Sequence, residues 1–175
     1  MIDYGHLDYG ENKVQEALDK WEQLKKKKPE IKLHLIGKLQ TNKVKFAVKL
    51  FDYIHSLDSL KLAKKISSEE LKIKKKINIF IQVNIGGEIQ KSGIEKKELG
   101  NLVSYCRELN LNILGLMCIP PFGVDPNPYF IEIAKLNNDY GFKELSMGMS
   151  SDYVDAAINS STYLRIGSSI FGHRS

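Results

Sequence analysis

Cysteine is scarce in this chain: Cys106 and Cys118 are the only two in 175 residues. Their separation matches no metal-ligand or redox spacing, which excludes a disulfide scaffold and a zinc ribbon and leaves both as buried packing residues. Arginine is scarcer still relative to its class. Of 26 basic residues only Arg107, Arg165 and Arg174 are arginine, whereas base and phosphate recognition in nucleic acids leans on arginine forks. The net charge of +5 is therefore read as surface lysine and not as a nucleic-acid interface. The lysine runs at residues 25–28 and 72–76 sit at the ends of helical patterns, where cations suit the helix dipole and solvent. No apolar run reaches membrane-spanning length and the first residues lack a signal-peptide pattern, so the reading is a cytoplasmic protein with no membrane partner. Four histidines offer no metal-ligand spacing: His34 reads as a packed or hydrogen-bonded core residue, and His6, His55 and His173 have no evident partner. A glycine-rich dinucleotide fingerprint is also missing.

What is present is alternation. A short strand at residues 8–11 precedes a helix that places Val14, Ala17, Leu18, Trp21 and Leu24 on one face. A strand at 31–36 leads to a helix capped by Thr41, and a third strand at 51–55 leads to a helix starting at Asp58-Ser59 and carrying Leu60, Ala63 and Ile66. The β-branched run at 77–85 is the clearest strand and ends in Gly86-Gly87. Leu99, Leu102, Val103, Cys106 and Leu109 then share a helix face. A strand at 113–119 stops at Pro120-Pro121, and a helix passes through Ile133 and Leu136 before two closing strands. Seven strand–helix units of this kind predict a parallel sheet with crossover helices. Short helix-initiating turns favour a TIM-type (β/α)8 barrel over a doubly wound sheet, although such a barrel has eight strands and about 250 residues. The expectation is thus one domain over 1–175, a barrel short of its first β/α unit, with about seven strands.

The stretch from residue 144 to residue 174 carries the densest signal. Two apolar segments, 145–147 and 163–166, each run into small residues: Gly148-Met149-Ser150-Ser151-Asp152, with helix-capping chemistry, and Gly167-Ser168-Ser169. Junctions of this kind present backbone N–H groups and hydroxyls to anions, phosphate above all. Small residues at strand ends are also ordinary turn chemistry. Two in succession, with Arg165 leading into the second, match the way a β/α barrel holds phosphate after its last two strands.

Several stretches together resemble one family, the pyridoxal phosphate homeostasis proteins of the YggS/PROSC type, which are similar to the barrel domain of alanine racemase. They are residues 9–16 (YGENKVQE), 34–43 (HLIGKLQTNK), 82–84 (QVN) with 91–93 (KSG), 115–117 (GLM), 145–150 (LSMGMS) with Asp152, and 165–167 (RIG) with Phe171-Gly172. The resemblance implies pyridoxal 5'-phosphate as the cofactor and a cytoplasmic carrier without turnover. It places the phosphate on Ser150, Gly167 and Ser168, and Arg165 opposite the pyridine nitrogen. An arginine there cannot protonate the ring, because its own pKa is above about 12, so the ring stays a poor electron sink. Asn12 and Asn84 are expected to line the same mouth, Asn84 with the alternative of capping its own turn. The family's first strand carries a Schiff-base lysine, and the chain aligns from within the helix after that strand, so this lysine is expected to be absent; Lys38 reads as a solvated loop lysine. The full-length family is expected to be monomeric, and a barrel short of one unit to be association-prone. The alternatives are a fold-type III racemase-like enzyme, which needs a lysine and a second-domain tyrosine as its two bases, and a phosphate-binding barrel for another ligand.

Overall fold

The computed structural model describes residues 1–88 and 90–172; His173 and Arg174 lie outside the described residues. Seven parallel strands follow one another in chain order: β1 (Asp8–Glu11), β2 (Lys32–Leu35), β3 (Tyr53–Leu57), β4 (Asn78–Gln82), β5 (Asn112–Met117), β6 (Glu144–Met149) and β7 (Tyr163–Arg165). The helices between them are α1 (Val14–Lys27), α2 (Val44–Leu50), α3 (Leu60–Ile73), α4 (Leu99–Glu108), α5 (Asn127–Asp139) and α6 (Tyr153–Ile158), with a last turn, α7 (Ser168–Phe171).

The sheet is curled into a nearly closed barrel. In a flat sheet β7 would stand five strand spacings from β2, about 24 Å. Instead the ring of Tyr163 on β7 lies 5.9 Å from His34 on β2, 5.8 Å from Tyr53 on β3 and 5.0 Å from Phe80 on β4. Among the described residues β1 and β7 remain the two edges.

Local chemistry explains most elements. Val14, Ala17 and Trp21 recur at helical spacing and are buried, and the Trp21 indole donates to Glu11 Oε1 at 2.6 Å, tying α1 to the end of β1. Ser59 caps α3 by accepting the N–H of Leu62. The lysine runs do more than face solvent. Lys25 donates to the carbonyl of Leu50 and pairs with Asp52, Lys75 donates to the carbonyl of Phe51, and Lys76 bridges the carbonyl of Asn110 and the buried Glu70 carboxylate. They tie the helix ends to the entry side of the sheet.

Several boundaries differ from the sequence reading. β3 starts two residues later than expected, and the buried face of α3 uses Leu62, Ala63 and Ile66, leaving Leu60 exposed. Thr41 makes no side-chain cap; a 3-10 turn, Thr41–Lys43, leads into α2. β4 stops at Gln82 because the next residues pair with another segment: Asn84 N donates to the carbonyl of Ile94 and Ile94 N to that of Gln82. That approach needs Gly93, where a Cβ would meet Asn84 N at 2.6 Å and φ is +120°.

Candidate functional site

β6 and β7 end side by side, and their loops meet. Gly148 makes this possible. Its φ is +91° and an added Cβ would meet Ala156 at 2.5 Å, so only glycine lets β6 bulge and turn against α6. Asp152 then closes the turn: its carboxylate accepts Met149 N at 2.6 Å. Asp152 occupies the N-cap position of α6 without a side-chain cap bond, because its carboxylate is used on the turn. This sets Ser150 against the following junction, where its Oγ accepts Gly167 N at 3.1 Å and Ser169 N at 3.3 Å. Two backbone donors thus converge on a single oxygen, the arrangement an anionic oxygen requires.

Below this cradle lies Arg165, the last residue of β7. Nη1 donates to Ser146 Oγ at 2.7 Å and Nη2 to the Cys118 carbonyl at 2.9 Å. Burial pushes its guanidinium down from the ordinary value, yet arginine starts high enough to stay charged. Its partners are neutral. The same burial pushes the Cys118 thiol up to about 12, so it is inert.

Arg165 is one end of a polar row whose middle members, Ser146, His55 and His34, are buried. Ser146 Oγ lies 2.8 Å from His55 Nδ1, His55 Nε2 lies 3.0 Å from His34 Nδ1, and His34 Nε2 lies 3.0 Å from Asp8 Oδ1. Desolvation depresses His34, partly offset by Asp8, and holds His55 well below the usual histidine range, with the charges nearby adding to the effect. The otherwise apolar interior therefore carries a polar seam. His34 is a hydrogen-bonded core residue as the sequence suggested, whereas His55, which showed no partner, has two. The missed residues are His55, Ser146 and Asp8, and Ser169 was named only as part of the second junction. The seam spans β1, β2, β3, β6 and β7, and no local spacing marks it.

Of the six residues proposed from the sequence, Ser150, Arg165 and Gly167 come together. Ser168 opens α7 with an exposed side chain, and it is the N–H of Ser169 that reaches Ser150. Asn12 is exposed just after β1, its backbone packed so closely on Gly37 that a Cβ there would meet the Asn12 carbonyl at 2.2 Å. Asn84 closes on its own turn, donating to the carbonyl of Glu88 and accepting its N–H. Lys38 is exposed, and its charge acts on Asp58.

The family described as alanine racemase, N-terminal domain, matches residues 2–175. A pyridoxal phosphate homeostasis protein of Aquifex aeolicus is 42% identical over 95% of this chain and 76% of its own length. The chain belongs to the pyridoxal phosphate homeostasis protein family. Membership extends to animals, since the Bos taurus member is 38% identical over 98% of this chain and 70% of its own. Among solved structures, PipY of Synechococcus elongatus PCC7942 with PLP bound aligns with a TM-score of 0.90 at 32% identity, covering 98% of this chain and 84% of that one. Alanine racemase of Clostridium difficile 630 shares the fold alone, with a TM-score of 0.72 at 14% identity. Among the described residues this homeostasis-family barrel has no helix long and apolar enough to cross a membrane and no cluster of His, Cys, Asp and Glu able to hold a metal ion.

Proposed function

We propose that this chain binds pyridoxal 5'-phosphate at the β6–β7 rim and serves as a carrier or buffer of the cofactor, without turnover of its own. The observation that carries this is the convergence of Gly167 N and Ser169 N on the Ser150 hydroxyl beside a charged, desolvated Arg165. Ser150, Gly167 and the start of α7, with Ser168, would hold the phosphate. Arg165 would meet the ring nitrogen, and Asn12 and Asn84 would flank the mouth. Bound pyridoxal phosphate supplies an aldehyde that captures amines and a ring that can accept electrons. Arg165 keeps that ring unprotonated, since a guanidinium does not release its proton. Water is excluded beneath by Tyr163, His55 and Phe80, packed ring on ring.

Support for the carrier role comes from the names of the relatives and the bound PLP of PipY. Lys38, the lysine just past the end of β2, is exposed, and we read the binding as non-covalent. The ligand is a small molecule and not nucleic acid, and the two free, buried thiols suit a cytoplasmic setting. A titration with pyridoxal 5'-phosphate followed by absorbance, repeated in inorganic phosphate, tests this. Saturable binding that phosphate weakens, and that borohydride does not make permanent, is expected. No saturable change in absorbance at any loading, or a reduced adduct on a lysine, would overturn it.

A further inference from the structure

The row from Asp8 to Arg165 has ends of opposite capability. A guanidinium can only donate and a carboxylate can only accept, and this fixes every proton between them. Arg165 donates to Ser146 Oγ, which leaves that hydroxyl free to donate to His55 Nδ1 at 2.8 Å. His55 then carries its proton on Nε2 and donates to His34 Nδ1, and His34 in turn donates from Nε2 to Asp8. The reverse direction fails. If His55 donated from Nδ1 to Ser146, its bare Nε2 would need a proton from His34 Nδ1, and a bare His34 Nε2 would face the Asp8 carboxylate at 3.0 Å. Repairing that contact takes an extra proton, either on a ring nearly inaccessible to solvent or on the Asp8 carboxylate, which is ionised at neutral pH.

The row also runs lengthwise through the barrel. Asp8 opens β1 at the entry side, where its side chain is 55% exposed, and Arg165 closes β7 below the phosphate cradle. Among the described residues, the guanidinium has no carboxylate among its hydrogen-bond partners. Each bond in a one-way chain polarises the next, so the distant Asp8 strengthens Ser146 as an acceptor for Arg165.

We infer that Asp8, His34, His55 and Ser146 form a one-way hydrogen-bond relay, with both imidazoles neutral and protonated on Nε2, whose role is to position the Arg165 guanidinium under the cofactor mouth. The four are positioning residues, and the inference rests on the cofactor reading only for what Arg165 faces. The relay itself is tested without ligand, by long-range proton–nitrogen NMR of the histidine side chains in the full chain at neutral pH. His34 and His55 are each expected to show a pyrrole-type Nε2 and a pyridine-type Nδ1, and Asp8→Ala is expected to abolish the single pattern at His34. A protonated Nδ1 in either ring of the unaltered chain, or an unchanged His34 in a folded Asp8→Ala, would overturn the relay. The positioning role is tested by Ser146→Ala, expected to weaken pyridoxal phosphate binding about tenfold while the affinity for inorganic phosphate stays within twofold. Equal loss for both ligands, or loss for neither, would overturn that role. If the unaltered chain binds no pyridoxal phosphate, the functional reading fails while the NMR result stands.

Discussion

At the scale of single residues, the two buried histidines link stability to pH. Both have folded-state pKa values below the ordinary histidine value of about 6.5, His34 by desolvation partly offset by Asp8, His55 by desolvation reinforced by His34 and Arg165. The unfolded chain therefore binds more protons than the folded one once the pH falls under about 6.5. Stability is fully present above that value and declines below it, with a limiting slope of about 1.4 kcal/mol per pH unit for each ring. Burial pushes the Tyr163 phenol, which packs on these rings, up from its ordinary value, so it leaves this window untouched. Urea midpoints at pH 7.5, 6.5 and 5.5 check this: little change over the first interval and a clear drop over the second are expected, and equal midpoints throughout would contradict it. The sequence showed that His34 is inside but not that His55 stands beside it, because residues 34 and 55 meet only through the register of β2 on β3. That the loops carrying Ser150 and Gly167 pair as two successive junctions was legible because each follows an apolar run. For Asn84 the sequence left two readings open, a mouth or its own turn, and its hydrogen bonds go to the short turn at Glu88.

At the scale of elements, the connection from α3 to β4 hangs on one carboxylate. Glu70 is 2% exposed, accepts Ile77 N at 2.7 Å and pairs with Lys76. Glu70→Ala strands that amide in the core and is expected to cost about 1–3 kcal/mol, whereas Glu70→Gln keeps an acceptor and should cost less. Chemical denaturation of the two variants measures the difference, and an Ala variant as stable as the parent would contradict the assignment. Strand and helix order was readable from periodicity alone, since long apolar runs and helical faces are local properties. Bounds were less so. Gly115 shows why: a Cβ there would meet the Glu144 carbonyl at 1.7 Å, and the β4–β5 register shifts beside it. A glycine inside an apolar run carries no local mark of which neighbour it lets in.

At the scale of the whole molecule, a curled sheet with β1 and β7 as edges leaves backbone groups for another chain to pair with. Leu164, Ile170 and Phe171 are exposed on and beyond β7, and Leu7 lies before β1. The chain is therefore expected to associate at micromolar concentration, giving a light-scattering mass above the monomer that rises with loading. A monodisperse monomer that unfolds cooperatively would contradict this. The barrel class was legible from seven alternating units, and its curvature became certain only through contacts across the interior, such as Tyr163 on Tyr53.

The cradle is tested most directly at Gly167. Its φ lies outside the left-handed region and an added Cβ would meet no atom within 4 Å, so Gly167→Ala should leave the melting temperature unchanged or raise it by a degree or two. The same Cβ would crowd an anion that takes the place of the Ser150 hydroxyl at Gly167 N and Ser169 N. Pyridoxal 5'-phosphate affinity should then fall at least tenfold, about 1.4 kcal/mol, in a variant that is no less stable. A Gly167→Ala protein that binds the cofactor as tightly as the parent would contradict the account.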